Sequence, residues 1–190
     1  VRRICVFCGS SLGTDPVYAK AARSFGRALA SKGLGLVFGG GSIGLMGTLA
    51  DAVLDAGGDV VGVIPAFLDE RELGHRGLSR QIVVTSMHER KALMAQMSEA
   101  FVALPGGFGT VEEFCEVLTW AQLGLHAKPC ALLNVQGFFA PLLRLFDDQV
   151  RSGFLSPEHR ALVLVGADPE ELAETLIRLP ATGQASLEGT

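Results

Sequence analysis

Three acids crowd two turns of one predicted helix: Glu112, Glu113 and Glu116, directly after the glycine turn Pro105-Gly106-Gly107-Phe108-Gly109-Thr110. Thr110 as N-cap with Glu113 three residues on reads as a capping box, a structural role. Yet Glu113 and Glu116 share one helix face at i, i+3 spacing, where like charges repel mildly, which leaves at least one acid open to another task. A carboxylate beside a sugar ring stabilises an oxocarbenium-like transition state or positions water. A second cluster, Ser86-Met87-His88-Glu89-Arg90-Lys91, has the same form, with Ser86 and Glu89 as its capping box. Two cations follow in its first turns, where the helix dipole disfavours positive charge by roughly 0.3–1 kcal/mol. An anionic ligand reverses that penalty; two solvated surface cations beside Glu89 are the alternative.

Glycine turns recur at two earlier points, Gly9-Ser10-Ser11 and Gly39-Gly40-Gly41-Ser42-Ile43-Gly44-Leu45-Met46-Gly47. All three lie between a predicted strand and a predicted helix, where unpaired amides and the helix dipole attract an anion and a missing Cβ lets a phosphate approach. Together they point to a phosphate- or nucleotide-binding edge. Gly39, Gly41 and Gly44 match G-x-G-x-x-G, but a dinucleotide site needs an acid at the end of the next strand. Pro65-Ala66-Phe67 stands there, and Asp59 lies at the strand's start. A nicotinamide enzyme is therefore not expected. The chain has no P-loop lysine motif and no G-x-S-x-G elbow. His75, His88, His126 and His159 form no ligand spacing, so neither a metal nor a cofactor is expected.

The elements that must position these residues are legible as an alternation. Continuous apolar runs at 4–8, 35–38, 60–64, 82–85, 100–104, 129–133 and 162–165 read as strands buried on both faces. Helical patterns fill the gaps, among them 16–32 with Asp15 as N-cap and Pro16 in first position, 43–56, and 111–123. This pattern predicts an α/β fold, a Rossmann-like doubly wound parallel sheet with helices on both faces, and ligands at the carboxyl ends of its strands. The connection 65–80 is long and charged, in keeping with a lid, a partner contact or a solvated loop. With 190 residues, 48% hydrophobic and 19% charged, one domain over 1–180 is expected, and the small polar segment 181–190 reads as a disordered tail. Glycine supplies 24 residues, well above the average of about 7%. A net charge of −4 argues against nucleic acid or an anionic membrane as partner. No apolar stretch is long enough for a membrane span. Cys5, Cys8, Cys115 and Cys130 lack the spacing of a zinc or redox site and read as core thiols of a cytoplasmic protein.

Pro105-Gly106-Gly107-Phe108-Gly109-Thr110-Val111-Glu112-Glu113 fits P-G-G-x-G-T-x-x-E, and Met87-His88-Glu89-Arg90-Lys91 fits its companion motif. With Cys8-Gly9-Ser10-Ser11, the 39–47 run and the stretch from Thr119 and Trp120 to Pro129, these residues resemble the Lonely Guy (LOG) family. Its members are cytokinin-activating phosphoribohydrolases, often mislabelled lysine decarboxylases. The resemblance covers residues 3–178; Phe108 stands where a tyrosine is frequent.

It implies a homodimer that cleaves the N-glycosidic bond of a nucleoside 5′-monophosphate, releasing an adenine-type base and ribose 5-phosphate. Arg90 and Glu113 would be the catalytic pair. Glu72, Lys91, Gly107, Phe108, Gly109, Thr110, Val111, Glu112 and Thr119 would contact substrate. Gly9, Ser10, Gly40, Gly41, Gly44, Met46, Gly47 and Met87 are expected beside them, with the phosphate on the 107–110 turn and backbone of the 39–47 turn helping. The rival reading is a nucleotide- or molybdenum-cofactor-binding carrier on the same architecture, without hydrolase activity.

Overall fold

Alternate residues of the inner strands are apolar on both sides, so each strand can be covered by helices above and below. In the computed structural model, which describes residues 2–69 and 74–179, seven strands form one sheet. They are β1 (Arg3–Phe7), β2 (Gly35–Phe38), β3 (Val60–Pro65), β4 (Arg80–Val84), β5 (Ala100–Ala103), β6 (Cys130–Leu133) and β7 (Val163–Gly166). Their order is β4-β3-β2-β1-β5-β6-β7, and every neighbouring pair is parallel. The expected doubly wound sheet is thus the fold found. Winding reverses between β1 and β5, which opens a crevice at their carboxyl ends.

The helices are α1 (Pro16–Ser31), α2 (Gly44–Asp55), α3 (Ala66–Asp69), α4 (Met87–Gln96), α5 (Phe108–Gln122), α6 (Ala140–Arg151), α7 (Pro157–Arg160) and α8 (Pro169–Arg178). Ile4 and Val6 of β1 face one core with Phe25 and Leu29 of α1, Leu49 and Val53 of α2 and Leu176 of α8. Cys5 and Phe7 face the other core with Met94 of α4, Phe114 of α5 and Phe146 of α6. The two faces are unequally covered. Seven residues of α1 are buried, against Thr110, Phe114 and Val117 of α5, Arg90 and Met94 of α4, and Phe146 of α6. The expectation of strands buried on both faces fails at β4 and β7, whose outer residues are exposed because each lies at a sheet edge.

Asp15 accepts from the Val17 amide at 2.9 Å and caps α1, as its sequence signature predicts. The long connection contains α3, and beyond it Gly74 bridges Gly41 while the His75 amide donates to the Gly40 carbonyl at 2.8 Å. The described part of that connection is therefore tied to the second glycine turn. Glu72 and the segment 181–190 lie outside the described residues.

Gly26 lets α1 approach α2 closely: a Cβ there would lie 2.9 Å from the Leu49 carbonyl oxygen and 3.0 Å from the Ala52 Cβ. Gly26→Val should destabilise the fold by about 1–3 kcal/mol through overpacking, despite the better helix propensity of the new residue. Urea unfolding checks this, and unchanged stability would show that the helices separate freely.

Candidate active site

The three glycine turns meet at the carboxyl ends of β1, β2 and β5. The Gly9 amide donates to the Pro105 carbonyl at 3.1 Å, and the Gly9 carbonyl accepts from Leu45 at 3.0 Å and Met46 at 3.4 Å. Gly44 sits at φ +64°, with its Cα against the backbone of Ser10 and Ser11, where no side chain fits. This hydrogen bonding changes one expectation. The first amides of α2 are already used: Leu45 and Met46 serve Gly9, and Gly47 serves Ile43. They are not free for a phosphate. Gly9, Ser10, Gly41 and Met46 line the cleft, whereas Gly40, Gly44 and Gly47 do not.

The third turn is different. Helix α5 begins at Phe108 with Gly107 as N-cap, and no side chain caps it. Among the described residues, the amides of Phe108, Gly109 and Thr110 have no acceptor, so the open positive end of a 15-residue helix faces the cleft. The expected capping box of Thr110 and Glu113 is absent, because the helix starts three residues before the predicted Val111. A glycine can serve as N-cap, and Thr110 then falls inside the first turn. Glu113 is thereby released from any capping duty. At α4, Ser86 does accept from the Glu89 amide at 3.1 Å, but Glu89 reaches back to the Thr85 amide and hydroxyl, at 2.8 and 2.7 Å.

Arg90 of α4 and Glu113 of α5 face each other in a cleft of about 440 Å³. Their closest atoms, Nη2 and Oε1, are 3.9 Å apart, and the side chains are only 11% and 13% exposed. Burial pushes the Glu113 carboxyl above its ordinary range; Arg90 opposes the shift and Glu112 adds to it. Among the described residues, Arg90 Nε is buried without a partner, and Nη1 reaches only the Met87 sulfur at 3.7 Å. Neither cation of the α4 motif is a solvated surface group. Lys91 Nζ bridges Glu112 Oε1 at 2.6 Å and Glu116 Oε1 at 3.0 Å. Burial alone would lower its pKa, but the hydrogen bonds it donates to these two carboxylates outweigh that and hold the ammonium above its ordinary range. Two of the three crowded acids thus share the charge of Lys91. Glu112 and Glu113 both line the cleft, but only Glu113 faces Arg90 across it.

Phe108, almost fully exposed, forms the rim, and Gly107, Gly109, Thr110, Glu112 and Met87 line the cleft. Lys91 and Val111 do not line it, and Thr119 lies elsewhere. The Thr119 hydroxyl donates to the Cys115 carbonyl at 2.8 Å and borders a second cavity of about 210 Å³ between α5, α6 and α7. Sequence reasoning missed the apolar wall of Ile43, Ile64 and Leu68, and the Cys8 thiol on the cleft floor. The signal was positional: Cys8 directly follows β1 and Ile64 lies near the end of β3. Burial, reinforced by Glu113, raises the Cys8 pKa, which favours the neutral thiol over the thiolate.

The family model described as "Possible lysine decarboxylase" matches residues 46–176. A cytokinin riboside 5′-monophosphate phosphoribohydrolase of Arabidopsis thaliana is 50% identical over 175 residues, covering 92% of this chain and 81% of that protein. Its namesake from Rhodococcoides fascians is 51% identical over 170 residues, covering 89% and 86%. The chain belongs to the Lonely Guy family. Among solved structures, the molybdenum cofactor carrier protein of Chlamydomonas reinhardtii is similar with a TM-score of 0.71 at 25% identity, over 93% of this chain and 96% of that one. The decarboxylase wording finds no counterpart in this Lonely Guy site. Schiff-base chemistry needs an unprotonated lysine amine, and Lys91 is held as an ammonium between two carboxylates.

A folded-state pKa above the ordinary value of 4.5 makes ionised Glu113 a cost to folding that is absent below the unfolded value, grows as pH rises above it and levels off once pH passes the raised value. Wild type should therefore lose stability relative to Glu113→Gln between pH 4 and pH 7. Thermal unfolding of both proteins across that range checks it; a Gln variant that is the less stable at pH 7 would contradict the burial argument.

Proposed function

We propose that the protein hydrolyses the N-glycosidic bond of N6-substituted adenosine 5′-monophosphates, giving the free cytokinin or adenine base and ribose 5-phosphate. The observation that carries this reading is the buried Arg90–Glu113 pair, 3.9 Å apart and shared by one cleft with the uncapped N-terminus of α5. The relatives of Arabidopsis thaliana and Rhodococcoides fascians bear the name of this activity. The 5′-phosphate sits on the amides of Phe108, Gly109 and Thr110, where helix dipole and unpaired donors meet an anion. Glu113 lies at the ribose. As the bond from C1′ to the base nitrogen breaks, the electron pair leaves with the base, and the carboxylate stabilises the positive charge growing on C1′. The elements of water complete the products: hydroxyl on C1′, proton on the base. Arg90 holds substrate charge and fixes the ribose.

The carrier reading is the weaker one. A binding protein does not need a buried carboxylate beside a phosphate turn, since that charge repels the ligand. Its supporting relative is also half as similar to this chain as the phosphoribohydrolases.

Purified protein incubated with isopentenyladenosine monophosphate or AMP should release base and ribose 5-phosphate, quantified by chromatography. Glu113→Gln should lower kcat by roughly 10²–10⁴-fold, with KM changed far less. Absence of base release from both substrates overturns the enzyme reading. Full turnover in the Gln variant overturns the role of Glu113.

We further propose a homodimer working in the cytoplasm. The sparsely buried helices α4, α5 and α6, with Leu123 and Leu125 exposed just past the end of α5, support pairing on that face. The four unpaired cysteines suit a reducing compartment. Light scattering should give twice the 20.0 kDa chain mass; a clean monomer would contradict the dimer.

A further inference from the structure

The Arg90 guanidinium is held in place by unusually little. Its residue is 9% exposed, yet among the described residues Nε has no partner, Nη1 meets only a thioether sulfur at 3.7 Å, and Nη2 stops 3.9 Å short of Glu113. No strong hydrogen bond from a described residue orients this planar cation, although five donors in a rigid fork would normally be fixed by acceptors. Its position must come from packing. The surface it packs on is the bare Cα of Gly39, the first residue after β2. A Cβ at Gly39 would overlap Nη2, lie 2.9 Å from Cζ and 3.4 Å from Nε, and all three of its nearest neighbours belong to Arg90.

We propose that Gly39 is a positioning residue: its missing side chain is the seat that sets the guanidinium of Arg90 at its distance from Glu113. This deepens the phosphoribohydrolase reading and rests on it for the kinetic consequence, but not for the structural one. The Nη2 atom that would be displaced is the same atom that faces Glu113 Oε1, so the spacing of the pair cannot survive an added methyl group. The collision is with the end of a flexible side chain and not with backbone. Gly39→Ala therefore leaves the fold standing and moves the cation. Gly39 differs in this from Gly44, whose added Cβ would strike the backbone of Ser10 and Ser11.

The test compares wild type, Gly39→Ala, Arg90→Lys and the double variant. Lysine lacks the branched head that a Cβ would meet, so the effect of Gly39→Ala should vanish in its presence. Gly39→Ala is expected to unfold near the wild-type temperature and to lose roughly 10–100-fold in kcat with isopentenyladenosine monophosphate, the scale of a 1 Å misplacement. The acid limb of its pH–kcat profile should also shift, because the charge beside Glu113 has moved. Against Arg90→Lys alone, the double variant should lose less than about twofold, since the two sites act as one unit. Wild-type kcat with an unmoved acid limb in Gly39→Ala overturns the inference, as does an equal loss in both backgrounds. A crystal structure of Gly39→Ala needs no turnover and separates the two failures. A guanidinium left in its wild-type place defeats the role of Gly39, whereas a displaced guanidinium in a protein that never releases base defeats the hydrolase reading alone.

Discussion

Two opposite charges, Arg90 and Glu113, are both withdrawn from water and yet kept out of direct contact. Burying each costs several kcal/mol, and a direct ion pair would recover part of that cost. The remaining gap means that the site is not electrostatically complete by itself, and burial keeps the Glu113 carboxyl above its ordinary pKa despite the cation opposite. Such a pair persists only if the surrounding structure holds both helices rigidly. Lys91 does this, one residue after Arg90, by clamping Glu112 and Glu116 on either side of Glu113. The clamp ties α4 to α5 through charge-assisted hydrogen bonds, and the helical spacing of those acids then turns Glu113 toward the cleft.

Placement of the pair depends on topology. Reversal of winding between β1 and β5 leaves their following turns side by side, and the hydrogen bonds through Gly9 join the turns after β1, β2 and β5 into one wall. That knitting consumes the Leu45, Met46 and Gly47 amides of α2, whereas among the described residues the first amides of α5 stay open. One helix thus brings both the anion-binding end and the acid, a few residues apart along its axis. The covered face with α1, α2 and α8 supplies most of the core, while the helices that carry the chemistry bury few residues each.

The sheet was legible because seven apolar runs separated by helical patterns admit few other architectures. Edge strands were not, since exposure of Arg80 or Val165 depends on which strands lack an outer neighbour. The cluster residues were legible as types: Arg90 and Glu113 face each other as the motifs imply. Their division of labour was not. Thr110 fits a capping box by spacing, but a glycine N-cap at Gly107 starts the helix earlier. Lys91 reads as a ligand cation in the chain, yet two long-range carboxylates claim it. The role of Gly39 depends on a side chain 51 residues away, a relation that no local pattern contains.

The most direct measurement is a crystal structure of the Glu113→Gln protein with AMP bound. The site as built requires the phosphate on the amides of Phe108, Gly109 and Thr110, with C1′ beside residue 113 and Arg90 on the ribose. A phosphate bound elsewhere, or a ribose out of reach of residue 113, would contradict the assignment of α5 as the anion seat and of Glu113 as the group that stabilises the reacting carbon.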